Sequence, residues 1–260
     1  MSNFIYSLSS LPLFLVIFAA GSVVSAVSLF LVYRYLPLVL RKRENVPSGY
    51  VVGSISVIYA VLAGFVILYA MNNFDKASDI SVHEATLITK IFRYSHRLPQ
   101  PLQGVIQKGM HDYATAVITV EFPALAKDQI PNAGLLVLNK LDHQLNLYHP
   151  TDTITFTRMH TLHAEISDLD ATYDQRMTIN NSALTPDLWA LFIISSILTL
   201  IINCLLGVYI RLHIILQLIL TLMVSGTLFL IIAMDHPFSG SFGITSKLFQ
   251  NSLMEMDKYN

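Results

Sequence analysis

Residues 50–71 read YVVGSISVIYAVLAGFVILYAM, an apolar run with no Lys, Arg, Asp or Glu. About 20 such residues suffice to cross the hydrocarbon of a bilayer, so this run is read as a transmembrane helix. Three more runs of the same kind lie outward from it: Leu11 to Tyr33 before it, and Leu188 to Tyr209 and His213 to Met234 far downstream. They form two pairs on either side of a long polar stretch. The pattern predicts an all-α fold of four transmembrane helices, arranged as two hairpins with an inserted extramembrane helical bundle. Its boundaries are a first hairpin over 1–71, the bundle over 72–187, a second hairpin over 188–234 and a C-terminal tail over 235–260.

Composition excludes several classes of function. Hydrophobic residues make up 53% of the chain and charged ones 13%, against about 25% charged in soluble proteins. The implied partner is the lipid bilayer. A formal net charge of -1 supplies no basic field for nucleic acid. Cys204 is the single cysteine, so no intrachain disulfide forms and no zinc-type cysteine cluster exists. The first apolar run has no basic residue ahead of it and is longer than the core of a signal peptide, so it is expected to be a retained helix.

Orientation follows from the basic residues. Arg34, Arg41, Lys42 and Arg43 lie between the first two spans, and Arg211 beside His213 lies between the last two. Positive charge favours the cytoplasmic side, which places both short loops inside and the insert and both termini outside. Tyr33, Tyr35 and Trp189 stand where interfacial aromatic anchors are expected.

Helical periodicity runs through the insert. Ile80, Leu87, Ile91, Tyr94 and Leu98 form one stripe, and no Gly or Pro falls between Gly64 and Pro99, so one helix is expected to continue out of the second span. Leu102, Val105, Gly109, Tyr113, Val117 and Val120 form another, with Pro101 at its start. Leu138, Leu141, Leu145 and Tyr148 form a third, and Met159, Leu162, Ile166, Leu169, Tyr173 and Met177 a fourth. Such helices require a shared core, and an antiparallel bundle provides one. The insert carries nine Lys or Arg against thirteen Asp or Glu, a net of -4. That charge is a solvated surface or, in a transport protein, a field that draws cations.

Sites for chemistry are sparse. His160 and His163, with Glu165 close behind, share a helix face but lack a third ligand at fitting spacing, and Asp168, Asp170 and Asp174 lack the glycine of a calcium loop. No metal and no cofactor is expected. Neither a nucleophile elbow nor a phosphate or dinucleotide loop is present, so no catalytic residue is assigned and the chain is not read as an enzyme.

Polar residues inside the spans are penalised by hydrocarbon. In the third span Ser196, Thr199, Asn203 and Gly207 share a face, as do Gln217, Thr221 and Ser225 in the fourth. Gly53, Ser56, Ala60 and Gly64 do so in the second, and Gly21, Ser25 and Ser28 in the first. Small and hydroxylated residues at such spacing pack helices together. Asn203, Gln217, Ser196, Thr199 and Thr221 are the candidate lining of a hydrated pathway, with interhelical hydrogen bonding as the alternative for the two amides.

Where the fourth span ends, the chain reads Asp235-His236-Pro237-Phe238-Ser239-Gly240, a turn set by its proline and glycine. Asp235 and His236 are candidates for an electrostatic filter at an outer mouth, or Asp235 braces the turn through nearby backbone amides. This turn, Val57-Ile58-Tyr59-Ala60-Val61-Leu62 and Glu121-Phe122-Pro123, together with the two hairpins around a helical insert, resemble the bacterial bestrophin-like family of four-span membrane domains. Family members usually carry Arg at the position of His236 and Trp at that of Phe122. Tyr59, Glu121, Asp235, Pro237, Phe238 and Gly240 belong to the family pattern. Bestrophins proper are oligomeric anion channels, so the resemblance implies a homo-oligomer in a bacterial inner membrane that acts on small inorganic ions. A membrane-anchored sensor or scaffold, binding an envelope partner through its outer bundle, is the second reading.

The topology has a direct test. A cysteine replacing Asp152 on the bundle surface is expected to react with an impermeant thiol reagent in intact cells, and labelling only after lysis inverts the orientation.

Overall fold

The computed structural model describes residues 10–36, 45–127, 129–150, 152–180, 184–206, 209–240 and 242–259. The basic residues Arg41, Lys42 and Arg43, and Gly207 of the third-span stripe, lie outside the described residues. Among those described, the regular structure is helical: α1 Ser10–Tyr35, α2 Asn45–Ser95, α3 Leu102–Ala116, a π-helical turn Val117–Glu121, α4 Phe122–Leu125, α5 Ala133–Asn146, α6 Thr153–Asn180, α7 Pro186–Asn203, α8 Ile210–Asp235 and α9 Lys247–Asp257.

The chain divides into a membrane unit, Met1–Asn72 with Ala183–Asp235, and a bundle unit, Asn73–Ser182 with His236–Asn260. α2 contributes its first part to one and its remainder to the other. It is a single helix of 51 residues, as the absence of Gly and Pro after Gly64 leads one to expect.

In the membrane unit, α1, α2, α7 and α8 are each long and apolar enough to span a bilayer, and between 17% and 28% of each apolar window is buried within the protomer. Most of each helix surface is therefore left uncovered by the rest of the chain. Tyr59, Ala63, Val66 and Ala70 of α2 bury one stripe with Phe192 and Leu200 of α7 and Val224 and Ile231 of α8. Tyr59 stacks on Phe192 with ring centroids 5.8 Å apart.

The third span is shorter than the apolar run from which it was read. α7 stops at Asn203, and Cys204 caps its C-terminus with its amide on Ile201 and Ile202 carbonyls. The chain stays apolar through the turn, and hydropathy does not separate a turn in an apolar setting from a helix.

The bundle unit packs the rest of α2, α3, α5, α6 and α9 around one core that includes Ile88, Ile91, Ile106, Met110, Leu141, Leu145, Leu162 and Leu169. α6 starts where Asp152 Oδ2 accepts the Thr155 amide at 2.8 Å, a side-chain cap worth about 1 kcal/mol. The residues set apart in the sequence as a C-terminal tail instead supply a core wall: Phe249 and Met256 of α9 are fully buried, and Ser252 Oγ donates to the Ala85 carbonyl at 3.0 Å.

Candidate functional site

The candidate pathway residues of the membrane unit meet one another. Asn203 Nδ2 donates to Gln217 Oε1 at 2.8 Å. Gln217 Nε2 donates to the Leu200 carbonyl at 2.9 Å and to Ser25 Oγ at 3.2 Å. Thr221 Oγ1 donates to the Gln217 carbonyl at 2.8 Å, which commits its only proton, so the 2.7 Å contact between Ser25 and Thr221 is donated by Ser25. The chain of donors thus closes within α1, α7 and α8. Ser196 and Thr199 bond back to the Phe192 and Ser195 carbonyls of their own helix, and Tyr59 Oη lies 2.9 Å from Thr227 Oγ1. Gly21 permits this approach of α1 to α8: a methyl group there meets Ser225 Oγ at 3.0 Å.

His213, which the sequence marked only as the start of a span, extends the chain. Its Nε2 lies 3.2 Å from the Asn203 carbonyl and its Nδ1 3.3 Å from Tyr33 Oη. A carbonyl only accepts, so Nε2 carries a proton in this contact. The two contacts tie the end of α1 to the α7–α8 turn.

At the other end of the hairpin, Asp235 is 5% exposed. Its Oδ1 accepts the Leu184 amide at 2.7 Å and its Oδ2 accepts Trp189 Nε1–H at 3.0 Å. The carboxylate thus joins the last residue of α8 to the start of α7. Trp189, expected as an interfacial anchor, is among its donors. His236, Pro237, Phe238 and Gly240 belong to the bundle unit. Gly240 takes φ of 74°, which a side chain resists; the Ile244 amide closes the turn on the Pro237 carbonyl at 2.8 Å; and Phe238 packs edge-on against Phe122.

The bundle core holds the charged cluster that the sequence reading missed. Glu84, Glu121 and Arg176 are all fully buried. Arg176 Nε donates to Glu84 Oε2 at 2.6 Å and its Nη2 to Glu84 Oε1 at 3.1 Å, while Nη2 also donates to Glu121 Oε2. Tyr113 Oη donates to Glu84 Oε1 and the Gly134 amide to Glu121 Oε1, each at 2.6 Å. All four carboxylate oxygens therefore accept a proton from a donor. The guanidinium also faces the rings of Tyr173, Phe122 and Phe249 at 5.5–5.9 Å, near enough for cation–π attraction.

Two local features build the cluster. Pro123 has no amide to give the Thr119 carbonyl and its ring crowds the preceding turn. The chain widens there, the Phe122 amide bonding to the Val117 carbonyl, and the π-helical turn delivers Glu121 inward. Gly134 stands in the first turn of α5, whose N-cap, Asn132, makes no side-chain cap bond. Glu121 does that work from a distance, and the positive end of the helix dipole offsets part of the second carboxylate. A methyl group on Gly134 meets Glu121 Oε1 at 2.8 Å and Tyr113 at 2.9 Å, so no larger residue fits.

A sequence signal for the cluster existed. Glu84 fills the seven-residue gap between Ile80 and Leu87, Glu121 follows Val117 by four and Arg176 follows Tyr173 by three: charged residues at core positions. The histidines flagged earlier lie elsewhere. His163 stands 3.9 Å from Asp142, and Glu165 pairs with Lys90 at 2.6 Å. Among the described residues no group of three is placed to hold a metal ion.

Electrostatics follow the burial. Desolvation opposes the Arg176 charge, but Glu84 first, then Tyr113 and Glu121, hold its pKa above the ordinary value. Burial, then Glu84, pushes the Tyr113 phenol well up. Burial, then Glu121, pushes Tyr173 up to about 12.

A family model described as Bestrophin-like domain matches residues 19–249. Among solved structures, the chain is similar to a bacterial bestrophin homolog from Klebsiella pneumoniae bearing a point mutation, with a TM-score of 0.70 and 12% identity, covering 94% of this chain and 98% of that one. Two crystal structures of a membrane protein, each a point variant, match with a TM-score of 0.68, at 11% and 12% identity and the same coverage. At these identities the structures speak for the fold. No curated protein matches.

Removing one partner from a buried ion pair costs about 3–5 kcal/mol. Glu84→Gln and Arg176→Met are each expected to lower stability by that order, and the double variant by clearly less than their sum, in thermal unfolding of the detergent-solubilised protein. Equal sums would deny the coupling.

Alkali gives a second test. Tyr113 and Tyr173 hold their protons in the folded protein past the ordinary value of 10.0, Tyr173 to about 12. The contribution of each to stability is complete below about pH 10 and falls as pH rises above it, that of Tyr173 being lost as pH approaches about 12. The melting temperature is expected to fall over that window, less steeply in Tyr113→Phe. An unchanged slope in the variant overturns the assignment.

Proposed function

Because the chain belongs to the bestrophin-like family, we propose that it is an oligomeric ion channel or channel-like transport protein of a bacterial inner membrane. Its pathway runs between protomers rather than through one. The single observation that carries this is the free face of α2. Gly53, Val57, Val61, Gly64 and Leu68 follow one another at helical spacing, Val57 being 63% exposed. A methyl group added at Gly49, Gly53 or Gly64 meets nothing within 4 Å.

Glycine inside a helix costs about 0.5–1 kcal/mol relative to alanine, and in spans it is favoured where another backbone comes close. Within the protomer none does, so another copy supplies the approach. The polar residues of the candidate pathway, Asn203, Gln217 and Thr221, are meanwhile hydrogen-bonded among α1, α7 and α8, which favours a route elsewhere than between these helices. A pathway along α2 is narrow and apolar, the type of constriction that gates by dewetting. With Asp75 and Asp79 exposed on a bundle unit rich in carboxylates, cations are favoured over anions.

Mass measurement in mild detergent is expected to give a homo-oligomer, and purified protein in liposomes to conduct with a reversal potential favouring cations. Gly64→Leu, whose Cβ meets no neighbour in the protomer, is expected to reduce the oligomer or its conductance at least several-fold without lowering the melting temperature. A monomer across several detergents, together with no conductance, would refute the channel and favour the scaffold.

A further inference from the structure

A cavity of about 460 Å³ opens between α1 and α8, within the range of roughly 300–1,000 Å³ typical of small-ligand sites. Ala26, Leu29 and Phe30 line it from α1, Ile214 and Leu218 from α8. Ser22, Ser25 and Gln217 also border it; the protons of the last two are donated within the protomer, and the Ser22 hydroxyl is buried without a partner. The slot thus suits hydrocarbon and penalises a charged group placed inside it.

One end is different. Tyr33 and Ile210 line it there, and an exposed arginine adjoins each of them in the chain, Arg34 on α1 and Arg211 on α8. Arg34 lies in the last turn of α1 and Arg211 in the first turn of α8, and the Tyr33–His213 contact ties these two ends together. α1 has no carboxylate, and Asp235 of α8 lies at the opposite end of its helix. The apolar slot therefore has two exposed arginines next to its lining residues at this end.

We infer that this slot binds an anionic phospholipid, with one acyl chain between α1 and α8 and the phosphate on Arg34 and Arg211. Guanidinium matches phosphate in two-point hydrogen bonding, and long arginine stems reach the headgroup level from the end of a span. The site is complete within one protomer and does not depend on ion conduction.

Native mass spectrometry of the full-length protein, titrated with phosphatidylglycerol or with phosphatidylcholine of the same chains, tests it. Each arginine near the surface is worth about a fivefold preference for anionic lipid, so phosphatidylglycerol is expected to bind on the order of 25-fold tighter, at one lipid per protomer. Arg34→Gln with Arg211→Gln brings it down to the phosphatidylcholine level. Ala26→Phe, which fills the slot from an exposed position, weakens both lipids, and the soluble headgroup without chains does not compete. Equal binding of the two lipids by the wild type, or a phosphatidylglycerol preference that survives in the double glutamine variant, overturns the proposal. So does an Ala26→Phe protein that loses its oligomer yet keeps the lipid, since the slot then holds a neighbouring copy.

Discussion

Hydrocarbon offers no partner to a polar group, so each one inside a span must find its partner within the protein. The membrane unit meets this constraint along one chain of side chains and leaves the Ser22 hydroxyl of α1 outside it. Asn203, Gln217, Ser25 and Thr221 pass protons in one direction from donor to acceptor until the chain ends on a backbone carbonyl. Both amides become clips between helices, and each fixes the rotation of the helix that bears it. With α1, α7 and α8 set in this way, α2 keeps one buried stripe through Tyr59, Ala63 and Val66 and turns its glycines outward.

The bundle unit meets the same constraint with charge. Burying two carboxylates with one guanidinium leaves a formal excess of negative charge in a low-dielectric core, where an isolated ion is strongly disfavoured. What makes it tolerable is geometric: a phenol on Glu84, a helix start on Glu121 and three aromatic faces on Arg176. Because these groups come from α2, α3, the π-helical turn, α5 and α6, with rings from α4 and α9, the cluster fixes the positions of many elements at once. An apolar core of equal volume would carry no such directional bonds between these elements.

The spans, the hairpin pairing and the long α2 were legible because hydrocarbon selects a strong, simple pattern. Helix ends inside apolar sequence were not, as the early stop of α7 at Asn203 shows. The candidate pathway was read from polarity alone, which identifies costly residues but not their partners; partners depend on helix rotation and on contacts as distant as Ser25 and Gln217. The charged cluster was hidden for another reason. Glu84, Glu121 and Arg176 sit at core positions of otherwise apolar stripes, where a charged residue is easily passed over as an interruption. A single stripe with one charge is ambiguous. Three stripes, carrying two acids and one base at core register, describe a neutralisation problem with a three-body solution.

The spacing of that cluster along the chain also orders events during synthesis. Glu84 and Arg176 are 92 residues apart, which a ribosome takes roughly 5–18 s to cover at 5–20 residues per second. Through that interval Glu84 has no guanidinium to meet and stays hydrated. Phe249, whose ring closes the cage, arrives only after the second hairpin has been made. The core of the bundle is therefore completed last, once all four spans exist, and a chain truncated before α9 lacks the Phe249 ring that faces the guanidinium.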